Sequence, residues 1–215
     1  MIYITGDFHA DKKRFSAFNK LKKKDTLIIT GDFGFIWDGS KKESEILKWI
    51  GKRRYSVLFI DGFYDNLELL KKYPIQQFNG GLVREISGNL KMLLRGEVYE
   101  IENKKIFAFG GGTSLECDII KEADKEKLPS NEEMVNGIEN LKKVGNSVDV
   151  IITHEAPLRV RDFINFNNYE SDILHKYLDT IRESTTFKEW YFGKYHNDKR
   201  IPPCYNMMFL NVAKI

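Results

Sequence analysis

Cysteine is nearly absent from this chain: two residues of 215, Cys117 and Cys204. Two such thiols imply no disulfide framework, and both read as small buried hydrophobes. Long apolar runs are missing as well. None approaches the roughly 20 residues that span a bilayer, and no charged-then-apolar leader with a small-residue cleavage site is visible. No membrane partner and a cytoplasmic location are therefore expected. Charge of one sign is scarce: the net charge is +3, too small to argue for nucleic acid by itself. The basic runs Lys12-Lys13-Arg14, Lys22-Lys23-Lys24 and Lys52-Arg53-Arg54 read first as solvated helix faces, and summed they can favour an anionic ligand. No internal repeat or low-complexity linker divides the sequence, so residues 1–215 read as a single domain. The proportions, 42% hydrophobic and 30% charged, are ordinary for a globular chain that buries a sizeable core. Gly110-Gly111-Gly112-Thr113 lacks a following Gly-Lys-Ser/Thr, which excludes a phosphate loop of that type.

What is present is a repeated device. Ile2-Tyr3-Ile4-Thr5-Gly6-Asp7-Phe8-His9 is an apolar, β-branched run that stops at glycine and hands over to Asp-x-His. The same hand-over recurs in Thr26-Leu27-Ile28-Ile29-Thr30-Gly31-Asp32 and in Ser56-Val57-Leu58-Phe59-Ile60-Asp61-Gly62-Phe63-Tyr64-Asp65. It returns in Val148-Asp149-Val150-Ile151-Ile152-Thr153-His154-Glu155-Ala156-Pro157 and in Glu189-Trp190-Tyr191-Phe192-Gly193-Lys194-Tyr195-His196-Asn197. Each reads as a short strand with a polar tip. In open α/β sheets ligands bind beyond the carboxyl ends of the strands, so five such tips predict one site. Carboxylates and imidazoles together suit a divalent ion such as manganese, iron or zinc, without choosing among them. Histidine numbers four in all, and His9, His154 and His196 fall on tips. His175 lies inside a predicted helix and reads as an ordinary residue.

Between the tips, Asp11 to Lys24 reads as an amphipathic helix carrying Phe15, Phe18 and Leu21, and Glu43 to Lys52 and Asp65 to Lys72 as two more. The texture changes after Gln76. Gln77 to Ile86, Leu90 to Leu94 and a Val98 to Phe109 hairpin turning near Asn103-Lys104 read as strands of a second sheet. Glu116 to Lys127 reads as a charged, mobile surface excursion. A helix capped by Ser130 or Asn131 runs to about Val144, where Gly145 ends it. A loop is expected after the fourth tip through Asn168, then a helix from Ser171 to Glu183, and a last strand from Tyr205 to Val212.

In order and spacing, the series Asp7-x-His9, Gly31-Asp32, Gly62-Phe63-Tyr64-Asp65, His154 and Gly193-Lys194-Tyr195-His196 resembles the calcineurin-like metallophosphoesterases along nearly the whole chain. Phe59-Ile60-Asp61-Gly62, Leu94-Arg95-Gly96 and Thr153-His154-Glu155-Ala156-Pro157 are similar to the small bacterial members. The resemblance implies an α/β fold, an αββα sandwich of two mixed β-sheets flanked by helices. It implies a first ion held by Asp7, His9, Asp32 and His196. For a second ion only Asp32 and His154 remain. Phe63 stands where the family has Asn and offers no donor atom. Lys194 stands where it has His, and brings an ammonium to a place a dication would occupy. Lys194 then either stands in for the lost ion beside Asp32 or marks a site no longer used. Tyr64 replaces the family's acid histidine; a phenol, ordinarily near pKa 10, is a poorer proton donor at neutral pH. Asp65 keeps the family's acidic position. Arg95 reads either as a phosphate contact or as a surface salt bridge.

Two functions follow as expectations. One is a metal-dependent hydrolase with a reduced, one-ion site that binds or slowly hydrolyses a phosphate ester, such as a phosphorylated small molecule, nucleotide or nucleic acid. The other is an inactive relative that binds a nucleotide, nucleic acid or protein partner without turnover.

Overall fold

The predicted tips are strands in the structure, a computed structural model that describes residues 1–113, 126–164 and 172–215. The placement read for Cys117, and most of the Glu116 to Lys127 excursion, lie outside the described residues. In chain order the first strands and helices are β1 (Ile2–Thr5), β2 (Thr26–Ile29), α1 (Lys41–Gly51), β3 (Ser56–Phe59) and α2 (Leu67–Leu70). β4 (Ile75–Phe78), β5 (Gly81–Ser87), β6 (Leu90–Leu93), β7 (Glu97–Ile101) and β8 (Lys104–Phe109) follow. Next come α3 (Asn131–Lys143), β9 (Val150–Thr153), α4 (Leu158–Ile164), α5 (Ile173–Ser184) and β10 (Glu189–Phe192). The chain closes with β11 (Lys199–Ile201), β12 (Tyr205–Met207) and β13 (Val212–Lys214).

These strands make two mixed sheets. One has the order β13-β1-β2-β3-β6-β5-β4, the other β11-β12-β10-β9-β8-β7. β1, β2 and β3 run parallel, with Ile2 opposite Thr26 and Thr26 opposite Ser56. β8, β9 and β10 do the same in the second sheet, with Ile106 and Glu189 both opposite Val150. Level registers bring the carboxyl ends of neighbouring strands to a common rim, which is where the polar tips emerge.

Three apolar clusters explain the layering. Ile4, Ile28, Leu58 and Leu93 of one sheet pack with Tyr99, Ile106, Ile152 and Tyr191 of the other, forming the interior of the sandwich. Phe15, Phe18, Leu47 and Ile50 cover the outer face of the first sheet, against Leu27, Ile29, Val57 and Phe59. Leu141, Leu174, Leu178 and Ile181 of α3 and α5 cover the second, against Phe107, Ile151 and Trp190. Strands buried on both faces must be apolar along their whole length, which is why the tips read as unbroken runs rather than alternating ones.

Several expectations are corrected. Asp11 to Lys24 is not an α-helix but a 3-10 helix over Lys12–Phe18, capped by Asp11. Phe15, Phe18 and Leu21 recur every three residues, the period of a 3-10 turn, and all three are buried. β4, β5 and β6 extend the first sheet, because β6 pairs in parallel with β3; only β7 and β8 enter the second. The hairpin turns at Glu102-Asn103, both with positive φ. The loop after His154 contains α4, whose first turn closes on the Pro157 carbonyl. The expected last strand is two: β12 lies beside β10, and β13 crosses to the first sheet and pairs antiparallel with β1. Cys204 is partly rather than fully buried.

Arg95 does not form a surface salt bridge. It lies between β6 and β7, where the chain passes from one sheet to the other, and is buried. Its Nη2 and Nε donate to Asp61 Oδ2 at 2.6 and 3.1 Å, its Nη1 to Glu133 Oε2 on α3 at 3.1 Å, and two carbonyls take its remaining donors. A forked guanidinium thereby ties the end of β3, the crossover and α3 together. Arg95→Ala leaves the fully buried Asp61 without a counter-charge. A loss of about 3–5 kcal/mol in urea unfolding is expected, and a loss below about 1 kcal/mol would contradict the assignment.

Candidate metal centre

The rim joins the ends of β1, β2 and β3 to those of β9 and β10. Asp7, Asp32 and His154 are buried there, while His9 and His196 reach solvent. The separations are those of side chains around a common centre. His9 Nε2 lies 2.9 Å from His196 Nε2, which is 3.6 Å from Asp7 Oδ2. His154 Nε2 lies 3.5 Å from Asp32 Oδ2, and His154 Nδ1 lies 3.6 Å from Asp7 Oδ1. Tetrahedral ligands at ordinary zinc–nitrogen or zinc–oxygen bond lengths stand about 3.4 Å apart, in the same range. Two trios result, an outer one of Asp7, His9 and His196 and an inner one of Asp7, Asp32 and His154. The resemblance implies Asp32 as the shared carboxylate; in the structure Asp7 is common to both trios.

Two observations show that these residues fit a cation. Asp7 Oδ1 and His154 Nε2 are buried with no hydrogen-bond partner. Burial also lowers the basicity of His154, but Asp32 and Asp7 outweigh it and push its pKa up to about 10. His154 Nδ1 lies 2.9 Å from the Thr30 carbonyl. A proton donated there leaves the Nε2 lone pair facing the carboxylates. The inner pocket is therefore built for positive charge, whether a proton or a metal.

Glycine makes the close approach possible. A Cβ at Gly193 would overlap Asp7 Oδ1, and one at Gly62 would overlap Asp32. Gly31 has φ +109° and packs against the His154 ring. His9, Asp32, Lys194 and His196 all have positive φ. That cluster of unfavourable backbone at one rim is held by the surrounding structure, as is common at functional sites.

The remaining candidates take different places from those expected. Tyr64 reaches Asp32 through its backbone: the N–H donates to Asp32 Oδ1 at 2.8 Å, while the half-exposed ring stands edge-on to His9 at 6.0 Å. Phe63 packs on Tyr64 and offers no ligand. Asp65 is taken up by backbone N–H groups. Its carboxylate accepts from the N–H groups of Phe33, Gly34 and Gly62 at 3.2, 2.8 and 2.9 Å, binding two of the tip loops together. Burial and the neighbouring Asp32 raise its pKa to about 6. Lys194 donates from its backbone N–H to Asp7 Oδ2 at 2.8 Å, but its ammonium pairs with Glu155, not with Asp32.

Glu155 is the residue that sequence reasoning passed over. It is fully buried, accepts from Lys194 and the Tyr195 hydroxyl, and lies 3.3 Å from His175 Nε2. Burial would raise its pKa, yet Lys194 and His175 hold it well below the usual carboxylate range. His175 is no ordinary helix residue: its other nitrogen lies 2.6 Å from Asp172 Oδ1. The one sequence signal was a glutamate directly after the His154 tip.

Residues 1–197 match the family model of the calcineurin-like phosphoesterases. The chain belongs to that family. No match was found among curated proteins. The phosphoesterase sandwich accounts for the meeting of residues as distant as Asp7 and His196.

Gly193→Ala places a methyl group on Asp7 Oδ1 and the Thr30 oxygens. It is expected to weaken manganese binding at least about tenfold by calorimetry, with the circular dichroism spectrum unchanged. The second prediction concerns pH. Burial lowers the basicity of His175, but Glu155 and Asp172 more than reverse this, raising its pKa from 6.5 to about 9. A group raised on folding contributes its stability in full below the unfolded pKa and loses it as pH rises through the folded one. Urea unfolding of the wild-type chain should lose at most about 3 kcal/mol between pH 6.5 and 9.5 through this group. His175→Gln should be less stable at pH 6.5 and flatter across that window; equal slopes would refute the assignment.

Proposed function

We propose that the chain is a phosphoesterase with a reduced site, holding one divalent ion with Asp7, His9, Asp32 and His196, and that it binds phosphate esters and hydrolyses them slowly. The pairing of the Lys194 ammonium with Glu155 carries this reading. Beyond Asp7, the inner pocket keeps Asp32 and His154 as donors, and its other two family positions are an aromatic ring and an ammonium. A second dication there would meet like charge at short range. Manganese, iron or zinc each suit the outer donor set.

When bound, such an ion lowers the pKa of a water and polarises a phosphoryl oxygen. The chain's own residues do the rest. Asp7 and Asp32 are fixed by the Lys194 and Tyr64 N–H groups, so each presents a defined oxygen. His9 and His196 lie at the solvent side, where an ester enters. Tyr64 stands beside His9, placed to hydrogen-bond a phosphate oxygen but a weak source of the leaving group's proton. Lys194, committed to Glu155, is not available to that oxygen. The loss of acid and of a second cation therefore slows turnover without removing phosphate affinity. The same network also supports the second reading, a relative that binds a nucleotide, nucleic acid or protein partner without turnover.

The test is metal content per chain after dialysis, read beside hydrolysis of bis(p-nitrophenyl) phosphate. One equivalent is expected, lost in His9→Ala/His196→Ala. Turnover should be at least about 100-fold below that of the triple variant Phe63→Asn, Tyr64→His, Lys194→His. Two equivalents in the wild type would overturn the one-ion reading. Phosphate binding with no turnover in any variant would favour the binding module.

A further inference from the structure

Charge is distributed unevenly along this chain. Residues 12–54 hold thirteen lysines and arginines but five acidic residues, a net +8 against +3 for the whole, so the remainder is acidic. Those five acids do little to offset the excess. Asp32 belongs to the metal centre. Glu43 is buried and accepts from the N–H groups of Trp37, Asp38 and Gly39 at 2.6, 2.8 and 3.2 Å. Asp25 faces the N-terminal ammonium at 3.4 Å, and Asp38 accepts from the Ser40 N–H at 2.9 Å. Among the described residues, no lysine or arginine side chain of this segment pairs with a carboxylate.

The fold gathers these cations on one face. Residues 12–24 join the carboxyl end of β1, at the rim, to the amino end of β2, while α1 and residues 52–55 lead from β2 to the amino end of β3. Both stretches cover the outer face of the first sheet and run its length. The Trp49 ring on α1 has the Lys12 ammonium at 4.3 Å and the Arg53 guanidinium at 4.0 Å from its centroid. Arg53 also donates to Asn19 Oδ1 at 3.2 Å, and Arg54 to the Leu21 carbonyl at 2.6 Å, with Lys20 between the two acceptors. Lys12, Lys20, Lys52 and Arg54 are exposed. A ring and neutral oxygens hold these cations near one another without cancelling their charge, so they repel and build a positive potential. The face begins beside the outer ligands, because Lys12 follows His9 by three residues.

We propose that this face is the track for a nucleic-acid strand, one phosphodiester of which reaches the metal centre. The inference rests on the phosphoesterase reading and narrows its ester to a polynucleotide. Two features favour that partner. A row of cations running the length of the sheet matches a backbone of repeated charge, whereas a single phosphate meets only its end. Basic faces that bind anionic membranes also carry apolar anchors. The exposed large hydrophobic residues, such as Trp37, Phe163 and Leu210, lie outside residues 12–24 and 41–54. Lysines on phosphates position a strand without reading its bases, so binding is salt-dependent and indifferent to sequence.

The experiment follows fluorescein-labelled single-stranded oligothymidylate by anisotropy, with manganese present, from about 50 to about 200 mM NaCl. Wild type is compared with Lys12→Gln/Lys20→Gln/Lys52→Gln and with a control of equal charge, Lys142→Gln/Lys199→Gln/Lys214→Gln. The first variant should bind at least about tenfold more weakly at the lower salt, with a salt slope smaller by about two, as three lost phosphate contacts require. The control should stay within about twofold of wild type, since its distant charges are screened. Unlabelled oligothymidylate should inhibit hydrolysis of bis(p-nitrophenyl) phosphate by wild type, and inhibit the first variant about tenfold more weakly. Equal losses in both variants would overturn the role of this face. So would wild type that hydrolyses the small diester with one manganese yet binds no oligothymidylate, which would leave the proposed function standing. Binding without inhibition would separate the face from the metal centre and overturn the strand as substrate. Vesicles of phosphatidylserine and phosphatidylcholine bound in its place, and released by the first variant, would make the partner a membrane and overturn the proposal. Wild type with neither metal nor turnover would overturn the phosphoesterase reading and this inference with it.

Discussion

Two carboxylates buried side by side cannot be left uncompensated, and much of the rim can be read as the answer to that demand. Asp7 and Asp32 each accept one backbone N–H, from Lys194 and Tyr64, and each faces His154. Those contacts require loops from both sheets to arrive within a few ångströms of each other. The level registers of the parallel strands deliver them. The glycines at 31, 62 and 193 leave the space, and Asp65 fastens the Asp32 loop to the loop after β3. Each of these features is costly or idle alone and makes sense only around the buried charge.

The tips were legible because doubly buried parallel strands are apolar throughout and stop abruptly at polar residues. The five metal-ligand candidates were found from that pattern and from the family's motif order, and the structure brings them together. What escaped was whatever depends on partners distant in sequence. Nothing in Arg95 announces that Asp61 and Glu133 will enclose it. Strand pairing is likewise non-local: β6 looks like a member of a new sheet until β3 is seen beside it. The 3-10 helix was misread for a different reason, because apolar residues three apart fit both helical periods over so short a span. His175 and Glu155 look ordinary in sequence, since only the packing of α5 against the rim makes a buried network of them.

The fold and the chemistry are separable here. The family supplies a rim at which these side chains meet, while Phe63 and Lys194 stand at strand tips, beyond the apolar runs of the strands themselves. A substitution at a strand tip touches few core contacts, so a sandwich of this type tolerates revision of its site more readily than revision of its interior.

The crossing of β13 to pair with β1 has a consequence for the order of events during synthesis. Asp7 and His9 are made well before their partners: His196 follows His9 by 187 residues, and the strand that borders β1 follows later still. Until then β1 presents an open edge, and the first ligands have no site to belong to. A nascent chain of this protein cannot bring these side chains together piecemeal. With β2 on its other side, β1 keeps one edge unpaired until β13 has been made, and that edge is a place for misassembly in the meantime.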